Sequence, residues 1–380
     1  MKNAEWIDTN AACTFLGVKP QTLYAYVSRH RVRTKADPDD ARSSFYYLPD
    51  LERLLAQNRR PRARADVAQA AIRWGDPVLT TSISEVRDGT IWLKGRPIED
   101  CARQDTLEET ASLLCGCGRV VLAKTHTPPP GTTPFTRAMK ALADEADGAP
   151  PITHCLPTDI ALEVGKVLSL VTNACLGEAV TGEVHQRIAS KWGISRQGTD
   201  VVRQALVLLS DHELNPSTFA VRVCASTSTS LSAALLAGVA TLSGPLHGGV
   251  ASLAGEALNA TIDGGLDRFL EQRTGQSPYS FGFGHPLYPA GDPRAAYLLD
   301  LIPKGAPVLE AIDRASDRLS HRANIDTALA AIACHFAWPA EAATIIFTVG
   351  RTAGWSAHAI EQAKSGTLIR PRAQFQPKQL

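Results

Sequence analysis

The chain has 380 residues, of which 44% are hydrophobic, and its formal net charge at pH 7 is +1. These values are typical of a soluble globular protein with a sizeable core and two or three domains. The sequence has no apolar run long enough to span a bilayer and no signal segment at its start. We therefore expect a cytoplasmic protein without a membrane partner.

The charge and the cysteines are unevenly distributed. Residues 1–65 contain twelve Lys and Arg against seven Asp and Glu, so they carry +5 and the remaining residues carry −4. A basic N-terminal segment indicates an anionic partner. Most of the eight cysteines have apolar neighbours, which favours reduced core thiols. Cys115 and Cys117 are the one close pair, and without further ligands nearby they predict a helix end and no metal site.

Two short helices are predicted near the N-terminus. The first covers residues 9–16, with Thr9 or Asn10 as its cap, and Pro20 starts a second helix that extends over residues 21–29. Its apolar side chains are expected to pack inward, namely Leu23, Tyr24 and Val27. A basic strand at residues 31–35, an aromatic strand at residues 45–47 and a third helix from residue 49 are expected to follow.

This pattern resembles the winged helix-turn-helix modules of excisionase and mercury-resistance regulators. The resemblance implies a module at residues 1–58, a linker at residues 59–77 and a second helix that lies in the DNA major groove. The residues that would contact DNA are Gln21, Thr22, Tyr26, Arg29, Arg31 and Arg33, with Arg42 as a further phosphate contact. The alternative is a module retained as a packing or dimerisation element.

The remainder of the chain is predicted to be helical after one small hairpin. The hairpin starts at residue 78 and turns at Asp88 and Gly89. Apolar residues then recur at spacings of three and four in residues 106–114, 134–145, 159–180, 182–191 and 198–209. Strands and helices do not alternate, so the sequence predicts an all-α architecture and disfavours a nucleotide-binding parallel sheet.

Two glycine-flanked loops each present one histidine. Residues 243–249 contain His247, and residues 281–294 contain His285. Glycine permits positive φ and a close approach of the backbone to a ligand. Arg294 follows Pro293 at a predicted helix start, where it could donate two parallel hydrogen bonds to a carboxylate or phosphate.

Further polar groups occur elsewhere in the predicted helical region. Asp326 lies at the start of an apolar helix at residues 327–336, and Arg351 and Arg370 follow in two arginine-containing motifs. His212 lies in a polar segment at residues 211–218, and a histidine in such a place is more often a hydrogen-bonded core residue than a ligand.

These motifs, in this order and spacing, are similar to the citrate synthase family over roughly residues 78–375. The chain resembles a short subgroup with an N-terminal helix-turn-helix segment and is abbreviated at residues 118–150. The resemblance implies a two-domain helical fold. The large domain would comprise residues 78–248 and 336–380, and the small, CoA-binding domain residues 249–335. A homodimer is also implied.

The resemblance assigns roles to individual residues. Asp326 would remove a methyl proton from acetyl-CoA, His247 would stabilise the enol or enolate, and His285 would polarise the ketone of oxaloacetate. The remaining dicarboxylate contacts would be His212, Arg294, Arg351 and, lent by the partner subunit, Arg370. The CoA-binding loop would consist of Phe281, Gly282, Phe283 and Gly284. The resemblance implies no metal and no cofactor besides the acyl-CoA substrate.

Two alternatives to citrate synthesis remain open. Propionyl-CoA as the thioester would make the chain a 2-methylcitrate synthase, and a pocket discriminates one methylene only modestly. The chain could instead be a DNA-binding, metabolite-sensing regulator with a citrate synthase-like effector domain. One departure from the family pattern is Pro286, which follows His285 where many members carry arginine.

Overall fold

The computed structural model describes residues 6–16, 18, 20–28, 32–36, 44–52, 79–123, 127–373 and 375. The chain divides into two compact units, one made of Met1–Thr80 with Ala373–Leu380 and the other of Thr81–Arg372. The predicted linker at residues 59–77 lies outside the described residues. Within the described residues, none of the helices has the length and apolar character that a bilayer crossing requires.

The first unit contains two helices and a small sheet. In chain order its elements are β1 (Trp6–Ile7), α1 (Thr9–Leu16), α2 (Pro20–Ser28), β2 (Thr34–Ala36) and β3 (Ser44–Tyr47), and residues 48–52 are helical. The strands are antiparallel in the order β1-β3-β2. A separate apolar core holds these elements together and consists of Ala12, Leu23, Val32, Tyr46 and Leu51.

Two predictions for this unit are wrong in detail. The cap of α1 is Asp8 instead of Thr9 or Asn10, because the Asp8 carboxylate accepts a hydrogen bond of 2.8 Å from the N–H of Ala11. Tyr24 is 54% exposed, although it was expected to pack inward. Leu23 fills the narrow buried face of this short helix, and the next residue points about 100° away from it.

The second unit starts with a three-stranded antiparallel sheet in the order β4-β5-β6. Its strands are β4 (Ser84–Arg87), β5 (Thr90–Leu93) and β6 (Arg96–Pro97). The hairpin turn lies at Asp88 and Gly89, as predicted, and both residues have positive φ. The first strand begins at Ser84, which pairs with Leu93, and residue 78, the predicted start of the hairpin, lies outside the described residues.

The rest of the second unit is helical, which confirms the predicted class. Its helices are α3 (Ile98–Gln104), α4 (Leu107–Cys115), α5 (Pro134–Ala146), α6 (Pro157–Leu176), α7 (Val184–Trp192), α8 (Arg196–Leu208), α9 (Pro216–Ala225), α10 (Leu231–Leu242), α11 (Gly249–Ile262), α12 (Leu266–Glu271), α13 (Pro293–Leu299), α14 (Pro307–Leu319), α15 (Ile325–His335) and α16 (Ala342–Ser365). Short 3-10 turns lie at Ile152–His154 and Pro278–Phe281.

Helix ends follow the local chemistry of the sequence. Thr106 and Glu109 form a reciprocal capping box at the start of α4. The helix predicted at residues 159–180 ends earlier, at Leu176, because Gly177 adopts a φ of 68° and terminates α6. For the helices that were predicted, the ends expected from local residue types therefore lie within a few residues of the ends in the structure.

Helix α16 lies at the centre of the second unit. It has 24 residues, most of them buried, and Trp355 is fully buried within it. Helices α4, α6, α8, α9 and α10 all contact it. Small residues permit this close packing, since a Cβ added at Gly354 would lie 2.4 Å from the Ser210 carbonyl oxygen.

The helices between residues 249 and 335 pack on one another. Helix α11 contacts α14 and α15, and α13 contacts α15. These helices correspond to the predicted small domain, yet the division of the chain into compact units keeps them together with the rest of Thr81–Arg372. The boundaries at residues 248 and 336 therefore stay predictions.

Candidate active site

His247 lies in the loop between α10 and α11, against a buried serine. Its Nε2 is 3.0 Å from Ser217 Oγ, which also accepts a hydrogen bond of 3.3 Å from Trp355 Nε1. The single Ser217 hydroxyl proton has two acceptors within reach, His247 Nε2 and Asn215 Oδ1. Burial, followed by the charge of Arg351, lowers the pKa of His247 to about 4, so the imidazole is neutral at pH 7.

His285 is held in one tautomer by its own loop. The backbone N–H of Leu287 donates to His285 Nδ1 at 3.1 Å, so the ring proton of a neutral His285 lies on Nε2. Burial, followed by the charge of Arg294, lowers the pKa of His285 to about 4. At neutral pH this side chain is therefore an uncharged hydrogen-bond donor through Nε2.

His212 and Tyr288 form an aromatic cluster with His285. The ring centroids of His285 and Tyr288 are 4.8 Å apart, and those of His212 and His285 are 5.3 Å apart. The Tyr288 hydroxyl lies 2.9 Å from His212 Nε2. Burial, followed by the charges of Arg294 and Arg351, lowers the pKa of His212 well below its usual value. The cluster thus contains two neutral imidazoles in a fixed mutual orientation.

Asp326 lies in the first turn of α15 and is partly buried. Asn324 caps the helix, and its Oδ1 accepts a hydrogen bond of 3.0 Å from the N–H of Asp326. Burial raises the pKa of Asp326 to about 7, with Asp292 acting in the same direction and Arg294 and Arg351 opposing it. A carboxylate with this pKa is suited to accept and return a proton near neutral pH.

A buried ion pair joins the His285 loop to α15. Arg294 Nε and Nη2 donate to the two carboxylate oxygens of Asp292 at 3.0 and 2.8 Å, and both side chains are almost completely buried. The same carboxylate accepts from the N–H of Ile325 at 3.2 Å. Although burial acts to raise it, the Arg294 guanidinium lowers the pKa of Asp292. The pair therefore fixes the loop next to Asp326.

Arg351 projects from the middle of α16 and is 1% exposed. Its Nε donates to the Leu209 carbonyl at 2.8 Å, and within the part of the chain that the structure describes its buried Nη1 has no hydrogen-bond partner. Burial lowers the pKa of Arg351 to about 10, so the guanidinium remains charged at pH 7. An unpaired buried donor of this kind is suited to an anionic ligand.

A second buried network lies behind His212. Asp211 is fully buried, accepts a hydrogen bond from the Ser84 hydroxyl and lies 3.3 Å from His358 Nε2 on α16. Gly354 leaves room for this carboxylate, because a Cβ there would lie 2.4 Å from Asp211 Oδ1. The network fixes the chain segment before His212 to the helix that carries Arg351.

The residues of the predicted CoA-binding loop pack against, and form hydrogen bonds with, other parts of the same chain. Phe281 and Phe283 are buried in the core, so their side chains stabilise the fold. The carbonyl of Gly282 accepts from the N–H of Asn324 and the hydroxyl of Thr327, while the N–H of Gly284 donates to the Arg322 carbonyl. These contacts give the loop a positioning role for His285, and a CoA contact stays a prediction.

The close packing of this loop requires glycine at Gly282. Its φ is 98°, and an added Cβ would lie 2.2 Å from Thr327 Oγ1 and 2.7 Å from Ala254 Cβ. Positive φ is unfavourable for residues with a Cβ. The glycine that the sequence singled out as a ligand-facing position therefore permits the approach of the loop to α15.

Arg370 is exposed in the segment that follows α16. The N–H of the preceding residue, Ile369, donates to Ser226 Oγ at 3.1 Å and attaches this segment to the end of α9. Among the described residues, no hydrogen bond or ion pair joins Arg370 to the histidines, Asp326 or Arg351. Its contribution in trans stays a prediction.

The predicted DNA contacts of the first unit are only partly described. Gln21 and Thr22 are exposed on α2, as predicted. Arg33 donates to both carboxylate oxygens of Asp50 at 2.9 and 3.1 Å and lies 4.0 Å above the Tyr47 ring, so it stabilises the unit itself. The side chain of Tyr26, together with Arg29, Arg31 and Arg42, lies outside the described residues.

The sequence from residue 176 onward matches a known family. A model of the citrate synthase C-terminal domain covers residues 176–372, more than half of the chain. The chain belongs to the citrate synthase family. Within the matched region of this citrate synthase family member lie His212, His247, His285, Asp326 and Arg351.

Curated citrate synthase relatives match part of the chain. The "Putative citrate synthase 2" of Mycobacterium tuberculosis is 39% identical over 190 residues, which is 44% of this chain and 48% of that protein. The 2-methylcitrate synthase of Shewanella oneidensis is 33% identical over 193 residues, which is 47% of this chain and 50% of that protein. The chain therefore spans about half the length of the curated relatives it matches.

Solved citrate synthases share the fold. The enzyme of Thermoplasma acidophilum, solved as a ternary complex with carboxymethyl coenzyme A and oxaloacetate, matches with a TM-score of 0.64 and 21% identity over 80% of this chain and 95% of that chain. The citrate synthase of Thermotoga maritima matches with a TM-score of 0.61 and 20% identity, again over 80% and 95%. At these identities the similarity establishes the fold.

Three contacts of the cluster were not singled out in the sequence. Asp292 pairs with Arg294, Ser217 bonds to His247, and Tyr288 bonds to His212. Asp292 could have been found, since an Asp before Pro and Arg is a helix-capping signal and its carboxylate accepts from the N–H of Arg294. Ser217 and Tyr288 contact residues that are distant in sequence, so no local signal identifies them.

Proposed function

We propose that this chain condenses acetyl-CoA with oxaloacetate and hydrolyses the product thioester to citrate and CoA. The observation that carries the proposal is one carboxyl group with a pKa of about 7, Asp326, in the same unit as two neutral, partly buried imidazoles, His247 and His285. A base and two uncharged donors are what thioester enolisation and carbonyl addition require.

In the first step Asp326 accepts a proton from the methyl group of acetyl-CoA. The carbon acid is weak, so the developing enolate needs a donor already in position at the thioester oxygen. When the Ser217 hydroxyl donates to His247 Nε2, the neutral imidazole carries its proton on Nδ1 and becomes that donor. A neutral donor also avoids an ion pair with Asp326, which would lower the basicity of the carboxylate.

In the second step the enol carbon attacks the ketone carbon of oxaloacetate, and His285 donates a hydrogen bond from Nε2 to the ketone oxygen. This oxygen takes up a proton from water and becomes the hydroxyl of the product, Asp326 returns the methyl proton to water, and His285 stays neutral. The guanidinium groups of Arg351 and Arg294, with His212, would bind the two carboxylates, and the unpaired Nη1 of Arg351 supports this role. Water then hydrolyses the thioester, so that acetyl-CoA, oxaloacetate and water yield citrate and CoA.

The electrostatic environment also supports a dianionic substrate. Besides burial, the charges of Arg294 and Arg351 both lower the pKa of His212. The charge of Arg351 also lowers the pKa of His247, and the charge of Arg294 lowers the pKa of His285. A positive potential of this kind favours a dicarboxylate and keeps the imidazoles neutral. Binding the substrate would partly cancel the potential.

The experiment that tests the proposal is release of free CoA from purified protein with oxaloacetate and either acetyl-CoA or propionyl-CoA. We expect kcat/KM to be higher for acetyl-CoA, by about 10-fold, because one added methylene changes transition-state binding by only about 1–3 kcal/mol. A preference for propionyl-CoA would assign the chain as a 2-methylcitrate synthase. Failure to release CoA from either thioester would contradict condensation altogether.

We also propose a homodimer in which Arg370 of one subunit completes the site of the other. The exposure of Arg370 supports a role in trans. Mixing inactive R370A and D326N subunits after dissociation is expected to restore roughly a quarter of wild-type activity, since random pairing gives half heterodimers with one intact site each. The same variants assayed singly are the controls. If the mixture is as inactive as its components, Arg370 does not act in trans.

DNA binding by the first unit is a second candidate function. The specific observation that favours it is the exposed start of α2 at Gln21 and Thr22, in a segment that carries a charge of +5. Fluorescence anisotropy with duplex DNA is expected to show at least about tenfold weaker binding at 200 mM than at 50 mM salt, because phosphate contacts release counterions. Absence of binding at the lower salt concentration would remove this function and leave the condensation proposal intact.

A further inference from the structure

A cavity lies beside helix α6, apart from the residues proposed for catalysis. Its volume is about 310 Å³, at the lower end of the range for small-molecule sites. Its described lining comes from residues 121–123, from Glu145 near the end of α5 and from α6, and it includes no residue assigned a role in condensation. Residues 121–123 and Glu145 belong to the segment at residues 118–150 that is abbreviated relative to the family pattern.

Specific contacts hold one wall of this cavity in place. Gly165 lets residues 120–123 lie against α6, because an added Cβ would overlap the Val121 carbonyl oxygen. Ser169 Oγ donates a hydrogen bond of 3.0 Å to the Ala123 carbonyl. The cavity therefore results from defined packing between this segment and α6.

The floor of the cavity contains an amide donor without a partner. Asn173, on α6, lines the cavity and is 2% exposed, and its Oδ1 lies 3.4 Å from Arg187 Nη1. Because a guanidinium can only donate, this contact orients the amide. Its Nδ2 has no hydrogen-bond partner in the part of the chain that the structure describes. A ligand with a hydrogen-bond acceptor would satisfy this buried donor.

A buried positive charge lies behind this amide. Arg187, on α7, is 2% exposed, and its Nε and Nη1 donate to the Gly182 carbonyl at 2.8 Å and to Ser169 Oγ at 2.6 Å. Among the described residues it forms no ion pair, and Glu108 acts on it through space while accepting from the N–H of Val184. Buried charges are usually paired, so an anion at the floor would supply a counter-charge.

The mouth of the cavity is apolar and carries one unpaired carboxylate. Val121 and Leu162 are 58% and 63% exposed, so an alkyl chain that covers them would be stabilised by burial of apolar surface. Lys166 pairs with Glu145, which leaves Glu163 without an ion pair within the described residues. The charge of Glu163 opposes an anion at the mouth, so an anionic group is favoured at the floor.

We propose that this cavity binds a short aliphatic monocarboxylate. A carboxylate oxygen accepts from Asn173 Nδ2 at the floor, where Arg187 supplies positive potential, and the alkyl chain lies between Val121 and Leu162. The site shares no residue with the proposed dicarboxylate contacts. The inference therefore does not depend on the condensation activity.

Calorimetric titration of the full chain with sodium hexanoate at pH 7 tests the site. We expect 1:1 binding with a Kd on the order of 1 mM, because so small a ligand gains little above the cost of association. Butanoate should bind about tenfold more weakly, since two fewer methylenes are buried. Absence of binding up to about 50 mM hexanoate would contradict the proposal.

Two further titrations test what the cavity recognises and where the probe binds. Hexan-1-ol is expected to bind at least about tenfold more weakly than hexanoate, because it lacks the charge. Equal binding of the alcohol, or tighter binding of hexylamine, would show that the site does not select a carboxylate. Saturation with oxaloacetate should leave the Kd of hexanoate unchanged. Displacement by oxaloacetate would assign hexanoate to the catalytic cluster and make the proposal wrong.

The variant N173D tests the floor of the cavity. It keeps the size of the side chain and an acceptor for Arg187 but replaces the Nδ2 donor with an oxygen, so hexanoate is expected to bind at least about tenfold more weakly. The matched control is N259D, at an exposed position on α11, which should bind as wild type does. Wild-type affinity in N173D, or equal weakening in both variants, would overturn the assignment.

Two variants at the mouth do not depend on repacking of the buried floor. L162Q is expected to weaken hexanoate binding about threefold through the lost alkyl contact. E163Q is expected to tighten it about twofold, because removal of a partly exposed like charge has a small effect. Unchanged affinity in L162Q, or weaker binding in E163Q, would mean that hexanoate does not occupy this cavity in the proposed orientation.

Discussion

Replacing Asp326 with asparagine is expected to lower kcat for CoA release about 10³-fold, the range typical for loss of a positioned general base. Oxaloacetate affinity, measured by calorimetry, should change little, because the amide keeps the shape of the side chain and the two arginines remain. The control is D263N, at an exposed position after α11, which should retain wild-type kcat. A kcat of D326N within a few-fold of wild type would exclude Asp326 as the base.

The pH dependence of the wild-type enzyme follows from the same group. Burial raises the pKa of Asp326 to about 7, so kcat is expected to rise with pH through this value as the carboxylate ionises. This acid limb should disappear from the residual activity of D326N. An acid limb centred near pH 4 would instead indicate a carboxylate that substrate binding makes much more acidic.

As pH rises through the pKa of Asp326, the stability of the folded protein is expected to fall while kcat rises. An Asp whose folded-state pKa lies above its unfolded-state pKa of about 3.9 binds an extra proton in the folded state, so stability falls as pH rises between about 4 and 7. The D326N variant lacks the ionisable group, so its stability does not fall with pH for this reason. Its melting temperature is therefore expected to exceed that of wild type at pH 8, and the difference should shrink at pH 5.

Replacing Arg294 with methionine is expected to lower the free energy of unfolding by about 3–5 kcal/mol, because the buried Asp292 carboxylate loses its partner. Both side chains are almost completely buried in the wild-type protein. The matched control is R318M, which removes a partner of Asp267 from an ion pair whose side chains are 58% and 73% exposed and should cost at most about 1 kcal/mol. Denaturant unfolding of the two variants gives the comparison.

The double variant D292N/R294M separates the buried charge from the lost packing. It contains no unpaired carboxylate, so it is expected to be more stable than R294M at pH 7. As pH falls towards 5, Asp292 in R294M should take up a proton and the gap between the two variants should narrow. Equal destabilisation by R294M and R318M would mean that the buried pair contributes no more than a surface pair.

Local sequence signals predicted the framework of the site. Glycines and prolines delimited the loops that carry His247 and His285, and Pro293 followed by Arg294 predicted the start of α13. The apolar run after residue 326 predicted α15, and periodic apolar residues predicted the all-helical unit. Signals of this type depend on residues that are adjacent or within one helical turn, so they are present in the sequence itself.

Local signals of this kind did not predict the contacts between segments that are distant in sequence. Tyr24 was assigned to the wrong face of α2, because only the packed core shows how narrow that face is. The pairing of Arg33 with Asp50, seventeen residues later in the chain, was not predicted. The packing of Gly282 against the side chain of Thr327 was not predicted either, and the contacts of Arg33 with DNA and of the loop with CoA stay predictions.

The sequence by itself determined which residue types the proposed site contains, namely Asp326, His247, His285 and the arginines, and that loops carry the two histidines while a helix start carries Asp326. Only the tertiary structure decided their protonation. The pKa of Asp326 rises to about 7 and those of His247 and His285 fall to about 4 because of burial and of charges from other segments of the chain. Desolvation and through-space charge depend on what surrounds a group after folding, and the order of residues along the chain does not specify either.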